Sequence, residues 1–210
     1  MAFRLDFDAA IGHIKAHYYA ALQYPTLYRD GAAWYFIAHA DLRQMAKRQS
    51  TTLETTAAVT AVLSPKNKWI RNLIDAENCI RIAAVGGQAV DVKCGSYGQN
   101  KLKAFLILQG ESYQTVLGGN KVKAFFNNLY DPYDSYTVTV DGHATAVALG
   151  VRIPLSKSPQ LSDRQYNLIA DAYRLACKEI NADRLVGQEL LPSQVQAVCW
   201  VYYRFLHGID

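Results

Sequence analysis

The residues best suited to chemistry lie between Leu117 and Gly150, where a lysine and an aspartate each come at the start of a predicted helix. Lys121 follows a turn with two glycines, and such a turn lets backbone N–H groups approach a phosphate closely. A lysine amine near the positive end of a helix dipole is a usable nucleophile whenever it is neutral. Asp141 opens the next helix, where a charged carboxylate can stabilise a developing sugar cation or accept a proton.

Each of these residues also has a purely structural interpretation. Asp141 can be only a helix N-cap, and Lys121 only a solvated lysine of the first turn. His143 is then a polar or core residue of the helix that Asp141 opens. Trp69 and the run Trp34 to Phe36 are most simply core, with a base-stacking pocket as the alternative.

Hydrophobic spacing predicts an all-α chain of about nine or ten helices. A proline or a capping residue marks most of the starts. We expect an extended segment at Thr137 to Val140 and an irregular one at 88–98. The predicted helices are Asp8 (cap) to about Gln23, one from Thr26, Leu53–Leu63, Lys66–Val85 with Ser64 as cap and Pro65 in the first turn, Gln99–Leu108, Lys121–Leu129, Asp141 (cap) to Leu149 closed by Gly150, a capping box Ser162-x-x-Gln165 to about Asn181, and a capping box Ser193-x-x-Gln196 to about Leu206.

The charge pattern is compatible with a nucleic-acid partner. The chain has 22 Lys and Arg against 18 Asp and Glu, for a formal net charge of +4. Two stretches are strongly basic and hold almost no acids, so they are either solvated helix faces or a surface that follows phosphates. Their cations are Arg43, Lys47, Arg48, Lys66, Lys68 and Arg71 in the first stretch, and Lys93, Lys101, Lys103, Lys121 and Lys123 in the second.

Cysteine usage and hydropathy predict a protein of a reducing, cytoplasmic compartment. Cys79, Cys177 and Cys199 lie within apolar helical patterns and are expected to be reduced core thiols. The four cysteines have no metal-binding spacing, and His13, His17 and His39 lack a paired acid at ligand spacing, so we expect no metal and no cofactor. No apolar run reaches membrane-spanning length, so no membrane partner is expected.

Three segments together carry a resemblance to a known family. Gly119-Asn120-Lys121-Val122 is similar to the end of the hairpin Leu-Pro-Gly-Val-Gly-x-Lys, and Val140-Asp141-Gly142-His143 is similar to a Val-Asp-x-His segment about twenty residues later. Ala61 to Asn72 is similar to a Leu-(Ser/Thr)-x-Gln segment that opens a helix facing DNA. Over residues of roughly 57–150 the chain therefore resembles the helix-hairpin-helix DNA glycosylases, the group of endonuclease III and 8-oxoguanine glycosylase.

The sequence also departs from that family's pattern. Leu117 stands where the hairpin has its first glycine, and Pro65 and Lys66 stand near the place of the glutamine that fills the gap left by a flipped base. The four-cysteine iron–sulfur signature of some members is absent. We therefore expect a divergent member.

The resemblance implies a two-lobed all-α domain over 1–210, with a central lobe at about 57–150 and a second lobe formed by 1–56 and 151–210. It implies cleavage of an N-glycosidic bond in double-stranded DNA with the base flipped out, as in base excision repair, with Lys121 as Schiff-base nucleophile and Asp141 as the assisting carboxylate. Alternatives are a non-catalytic DNA-binding protein of the same fold and a phage-type enzyme for a hypermodified base or nucleotide; the oligomeric state is open. The implied DNA contacts are Gly118, Gly119, Asn120, Lys123, Lys66, Lys68 and Arg71, with His143 and Trp69 in the pocket.

Overall fold

A computed structural model describes residues 5–183, 187 and 189–209 of the chain. Within these residues it is all-helical, with no strand, which confirms the predicted all-α class. None of the helices there is both long enough and apolar enough to cross a bilayer. The helices are α1 Phe7–Leu22, α2 Pro25–Arg48, α3 Leu53–Leu63, α4 Trp69–Ala84, α5 Gly98–Leu108, α6 Tyr113–Val116, α7 Asn120–Tyr130, α8 Gly142–Leu149, α9 Asp163–Ala182 and α10 Pro192–Leu206, with 3₁₀ turns at Ala89–Asp91 and Leu155–Lys157.

Several helix boundaries follow from local capping chemistry. The predicted bounds of α3 are those of the structure, and its N-cap Thr52 accepts a hydrogen bond from the Thr55 N–H. The predicted capping box of α9 is present, with Ser162 and Gln165 each accepting from the other's backbone N–H. α8 begins after Asp141 and ends at Gly150, whose φ of +66° is the left-handed conformation that glycine adopts without strain.

Three predicted helix starts were wrong, and one helix was not predicted. Asp6, two residues earlier than expected, caps α1 through the Ala9 N–H, and Asp8 lies in the first turn. Ser64 ends α3 by donating to the Ala61 carbonyl, so it does not start a helix, and α4 begins only at Trp69. The predicted cap at Ser193 is also absent. α10 starts at Pro192 after Leu191, whose N–H donates to Gln194. The short helix α6 was not predicted at all.

The chain divides into two compact units. The terminal unit consists of the described residues within Met1–Phe36 and Pro132–Asp210, and the central unit is Ile37–Asp131. These bounds differ from the lobes expected from sequence, which assigned 132–150 to the central lobe. α8 instead packs against α1 and α10 of the terminal unit.

The central unit is built around α3. Every residue of this helix from Thr56 to Leu63 is buried, and α3 packs against α4, α5 and α7. Two threonines in this apolar setting satisfy their hydroxyls locally, Thr56 by donating to the Thr52 carbonyl and Thr60 to the Thr56 carbonyl. Helices α4, α5 and α7 are therefore the elements that position the basic residues of this unit.

The terminal unit packs α1 against α8, α9 and α10. The predicted extended segment before α8 is buried at Val138, Thr139 and Val140. It is held by a side chain instead of a neighbouring strand. Tyr166 of α9 donates from its hydroxyl to the Val138 carbonyl and accepts from the Val140 N–H. This clamp fixes the backbone that leads into Asp141.

Candidate nucleic-acid face and carboxylate site

The glycine turn before α7 is anchored by a core residue. Leu117 is buried, and its N–H donates to the carbonyl of Tyr113, the first residue of α6. Gly118 and Gly119 are exposed, and Gly119 has a φ of +71°, so a side chain there would strain the backbone. The turn therefore presents its backbone to solvent at the start of α7, as the sequence predicted. Leu117, in the place of the family's first hairpin glycine, serves the core.

Lysines surround this turn. Lys121 lies half-buried in the first turn of α7, and Lys123 is exposed. The Lys103 ammonium lies 3.3 Å from the position that a Cβ on Gly118 would take. Within the described residues none of these lysines forms an ion pair. Their charges are available to an anionic partner.

Two more lysines of the same unit lie at the start of α4 and form no ion pair among the described residues. Lys66 and Lys68 are exposed, and the Lys66 ammonium lies 5.0 Å from the centroid of the Tyr97 ring at the start of α5. Trp69, the first residue of α4, packs edge-on against Phe125 of α7 with the ring centroids 6.4 Å apart. The start of α4 is thus linked to the middle of α7 by an aromatic contact. The side chain of Trp69 is half-buried.

Arg71 has a different environment from the lysines. Its Nε donates to Oδ1 of Asp75 at 2.8 Å, and the Asp75 side chain is fully buried. The same carboxylate accepts from the Gly95 N–H at 2.7 Å, from the Asn67 amide at 3.0 Å and from the Cys94 thiol at 3.3 Å. Arg71 therefore belongs to a network that ties the irregular segment 92–97 to α4, and part of its charge is neutralised.

The charge of the chain is concentrated in the central unit. Residues 37–131 contain twelve Lys and Arg against seven Asp and Glu, whereas the rest of the chain contains ten against eleven. A local excess of cations attracts polyanions and raises their association rate.

Asp141 is held at both oxygens. Oδ1 accepts from the Ala144 N–H at 2.8 Å, which is the predicted N-cap bond, and Oδ2 accepts from Nε1–H of Trp200 in α10 at 3.1 Å. The guanidinium of Arg204 lies over the Trp200 ring, 4.4 Å from its centroid. Sequence reasoning missed Trp200 as a partner, because the bond joins residues far apart in the chain and no local pattern signals it.

His143 is a buried residue of α8. Its ring lies 5.3 Å from that of Tyr203 and 6.4 Å from that of Trp200, and its Nδ1 has no hydrogen-bond partner in the described part of the chain. Burial lowers the pKa of His143, and the charges of Arg204 and His207 lower it further against the opposing effect of Asp141. His143 is therefore neutral near pH 7.

The predicted catalytic pair lies on different units. Lys121 belongs to the central unit, with Gly118, Gly119, Asn120, Lys123, Lys66, Lys68, Arg71 and Trp69, whereas Asp141 and His143 belong to the terminal unit. A shared pocket for Lys121 and Asp141 therefore stays a prediction.

Three further histidines have backbone partners, and three cysteines are buried thiols. Nδ1 of His13, His17 and His39 each lies within hydrogen-bonding distance of a backbone carbonyl, that of Ala148, His13 and Leu129 respectively. Cys79, Cys177 and Cys199 are buried free thiols, as predicted. In the part of the chain that the structure describes, no group of three or more His, Cys, Asp or Glu side chains is arranged to hold a metal ion.

Replacing Asp141 should destabilise the terminal unit. Asp141→Ala removes the N-cap bond and leaves the Trp200 N–H unpaired, so we expect a loss of about 2 kcal/mol in the free energy of unfolding. Asp141→Asn offers one acceptor and one donor to two N–H groups, so it should lose about half of that. Urea unfolding measures both losses. Ser162→Ala is the reference, because it removes an ordinary N-cap and should cost about 1 kcal/mol in the free energy of unfolding. A cycle with Trp200→Phe should show coupling between residues 141 and 200, and additive losses would contradict the bond.

The stability of the terminal unit should depend on pH. Burial lowers the pKa of His17, His143 and His207 below the ordinary value near 6.5. A group whose pKa is lower in the folded state stabilises the fold above its unfolded pKa, and that contribution is lost as the pH falls. We expect the free energy of unfolding to decrease from pH 7 to pH 5, and His143→Gln to flatten this decrease. An unchanged slope in His143→Gln would contradict the assignment.

Comparison with known proteins identifies one family. A family model described as "Family of unknown function (DUF7178)" matches residues 6–206. The chain belongs to this family. The match covers both units of the DUF7178 chain, including the turn before α7, Asp141 and α10. No curated protein and no solved structure matches it.

Proposed function

We propose that this DUF7178 protein binds DNA through the basic face of its central unit. The observation that carries the proposal is a set of lysines without ion pairs at the starts of α4 and α7, beside an exposed glycine turn. We define the basic face by Lys66, Lys68, Lys103, Lys121 and Lys123, which hold no acidic partner within the described residues.

The physical basis is counterion release. Each phosphate that a lysine neutralises frees a condensed cation, so the logarithm of the binding constant falls by about 0.9 for each tenfold rise in salt and each contact. The exposed N–H groups of a glycine turn at a helix start add hydrogen bonds to phosphate oxygens. Trp69 at the start of α4 contacts Phe125 in the middle of α7, so the two helices pack together and both can present lysines to one backbone.

We expect Lys66→Gln combined with Lys68→Gln to flatten the salt dependence of DNA binding. The loss of two phosphate contacts should lower the magnitude of the log–log slope by about 2, with a similar loss for every sequence. Fluorescence anisotropy of a labelled duplex at several salt concentrations measures the slope. Glutamine keeps the bulk of each side chain, and both positions are exposed, so folding should be unaffected.

The matched control is Lys157→Gln with Lys178→Gln. These two lysines are exposed on the terminal unit and form no ion pair in the described structure. The control removes the same formal charge, and its slope should equal that of the unaltered protein. Arg71 is left in place, since its removal would unpair the buried carboxylate of Asp75. Equal slopes for the two double variants, or no binding at low salt, would contradict the proposal.

A second candidate function is cleavage of an N-glycosidic bond, favoured by the way Asp141 is held. An ionised carboxylate fixed by two N–H donors is suited to stabilise an oxocarbenium-like sugar, and Lys121 is the candidate amine for a Schiff base. The substrate would be a damaged or modified base in DNA, or a hypermodified base or nucleotide. DNA binding without catalysis satisfies the first proposal and not this one.

A further inference from the structure

The last turns of α10 gather three histidines around one buried tyrosine. The Tyr203 ring lies 4.4 Å from that of His207, 5.3 Å from that of His143 and 6.3 Å from that of His17. The Tyr203 hydroxyl accepts a hydrogen bond from the Ile153 N–H at 3.2 Å. This histidine cluster therefore joins α1, α8, α10 and the segment after α8, all within the terminal unit.

Cations outnumber acids around the cluster. Arg204 lies over the Trp200 ring, and Arg152 is exposed in the segment after α8. Neither arginine forms an ion pair among the residues that the structure describes. Both oxygens of Asp141, the carboxylate that acts on His143, already accept hydrogen bonds. The cluster thus has donors and positive charge beyond what the protein itself neutralises.

The electrostatics of the three histidines reflect this excess. Burial lowers the pKa of each one. Positive neighbours lower two of them further: Arg204 and His207 lower the pKa of His143, while Arg152 and His17 lower that of His207. A bound anion would relieve the repulsion between the histidines, when they are protonated, and the two arginines.

Two buried polar atoms near the first turn of α8 have no hydrogen-bond partner among the described residues. One is Nδ1 of His143, a residue only 4% exposed. The other is the hydroxyl of Ser158, which lies against Gly142, the residue before His143, so that a Cβ on Gly142 would clash with it. Buried polar groups in folded proteins are almost always paired, so these two atoms indicate a missing polar partner.

We propose that the histidine cluster, with Arg152 and Arg204, binds a dianion of phosphate chemistry. The arginines supply charge and hydrogen bonds, and His143 and His207 donate to the anion once they are protonated. This site lies on the terminal unit and is independent of DNA binding by the central unit. Because protonation of the histidines accompanies binding, the affinity for the dianion itself, corrected for the dianionic fraction of phosphate at each pH, increases as the pH falls from 7.5 to 6.

The test is titration of the full chain with inorganic phosphate at constant ionic strength, followed by NMR of the histidine side chains. Phosphate should raise the pKa of His143 and His207, and sodium chloride should not. Arg204→Gln should weaken binding about tenfold, the loss typical of one charge-assisted hydrogen bond. A nucleoside monophosphate is titrated in parallel, and tighter binding of the nucleotide would identify its terminal phosphate as the natural ligand group.

Lys178→Gln is the matched control, because it removes a charge from an exposed position of α9 in the same unit. Its affinity for phosphate should equal that of the unaltered protein. If Arg204→Gln fails to fold, His207→Gln is titrated instead, with the same expected loss. Unmoved histidine signals at millimolar phosphate, equal shifts with sodium chloride, or equal affinity in the Arg204 and Lys178 variants would each overturn the proposal.

Discussion

Gly31→Ala is expected to destabilise the protein by about 3 kcal/mol or more. Gly31 is a buried residue of α2, and a Cβ built on it would lie 2.5 Å from Cα and 2.9 Å from the backbone nitrogen of Val198 in α10. Both atoms belong to the backbone, so the clash cannot be relieved by a rotamer change. The two helices must separate, which also strains the bond from the Gln194 amide to the Ala32 carbonyl. This cost exceeds the gain of about 1 kcal/mol that alanine brings to a helix interior.

Gly12→Ala is the matched control. Gly12 lies in the interior of α1, and a Cβ there has no neighbour within 4 Å. The same substitution should therefore stabilise the protein by about 1 kcal/mol. Urea unfolding of the two variants measures effects of opposite sign. A stabilised Gly31→Ala would show that α2 and α10 do not pack backbone to backbone in solution.

Gly31 also illustrates what the sequence cannot reveal about the fold. Glycine is a poor helix former, so its propensity gives no sign that residue 31 lies inside a long helix. In the structure it is an interior residue of a 24-residue helix, and its lack of a side chain permits contact with a helix more than 150 residues away. Glycine acts here through packing, which depends on partners that only the folded chain brings together.

The starts of α8 and α9 were predicted correctly from their capping residues. Ser162 and Gln165 satisfy each other's backbone N–H groups, and Asp141 satisfies that of Ala144, so sequence alone located both starts. Ser64 and Ser193 have suitable types and neighbours, yet neither is a cap. Ser64 donates to the preceding helix, and Ser193 lies inside α10 with an unpaired hydroxyl. A serine beside a proline can cap the start of a helix or occupy another position, and tertiary packing decides which of the two occurs.

In the candidate site too, local features could be predicted from the sequence and contacts between distant residues could not. The sequence located Asp141 and the turn before α7, because both are local features. It could not pair Asp141 with Trp200, nor find that Asp75 holds Arg71, Asn67, Cys94 and Gly95 together. Arg71 is of a residue type that often contacts phosphate, but its surroundings are those of a structural ion pair. Only the geometry separates it from Lys66 and Lys68.

The largest functional effect is expected at Lys121 if the second candidate function holds. Attack of the Lys121 amine on C1′ of the deoxyribose forms a C–N bond as the glycosidic bond breaks, and the departing base takes up the proton that the amine loses. The sugar ring then opens at the C1′–O4′ bond, with O4′ protonated, and leaves a Schiff base between Lys121 and C1′. Borohydride reduces this Schiff base to a secondary amine that links protein and DNA. Lys121→Ala should give no adduct above background on any base in a panel of damaged and modified duplexes. The variant should fold, because the side chain forms no ion pair within the described residues and alanine favours helix.

Lys123→Ala is the control for charge, since this lysine is exposed two residues along the same helix and should still yield the adduct. Asp141→Asn should slow trapping by about 100-fold or more, the usual weight of a group that assists bond cleavage. Because that change also unpairs the Trp200 N–H, Trp200→Phe with Asp141 intact separates the two effects. It removes the hydrogen bond and keeps the charge, so trapping should slow far less than in Asp141→Asn. Equal trapping by Lys121→Ala and the unaltered protein, or neither adduct nor released base on the whole panel, would contradict glycosidic chemistry while leaving DNA binding by the basic face to its own test.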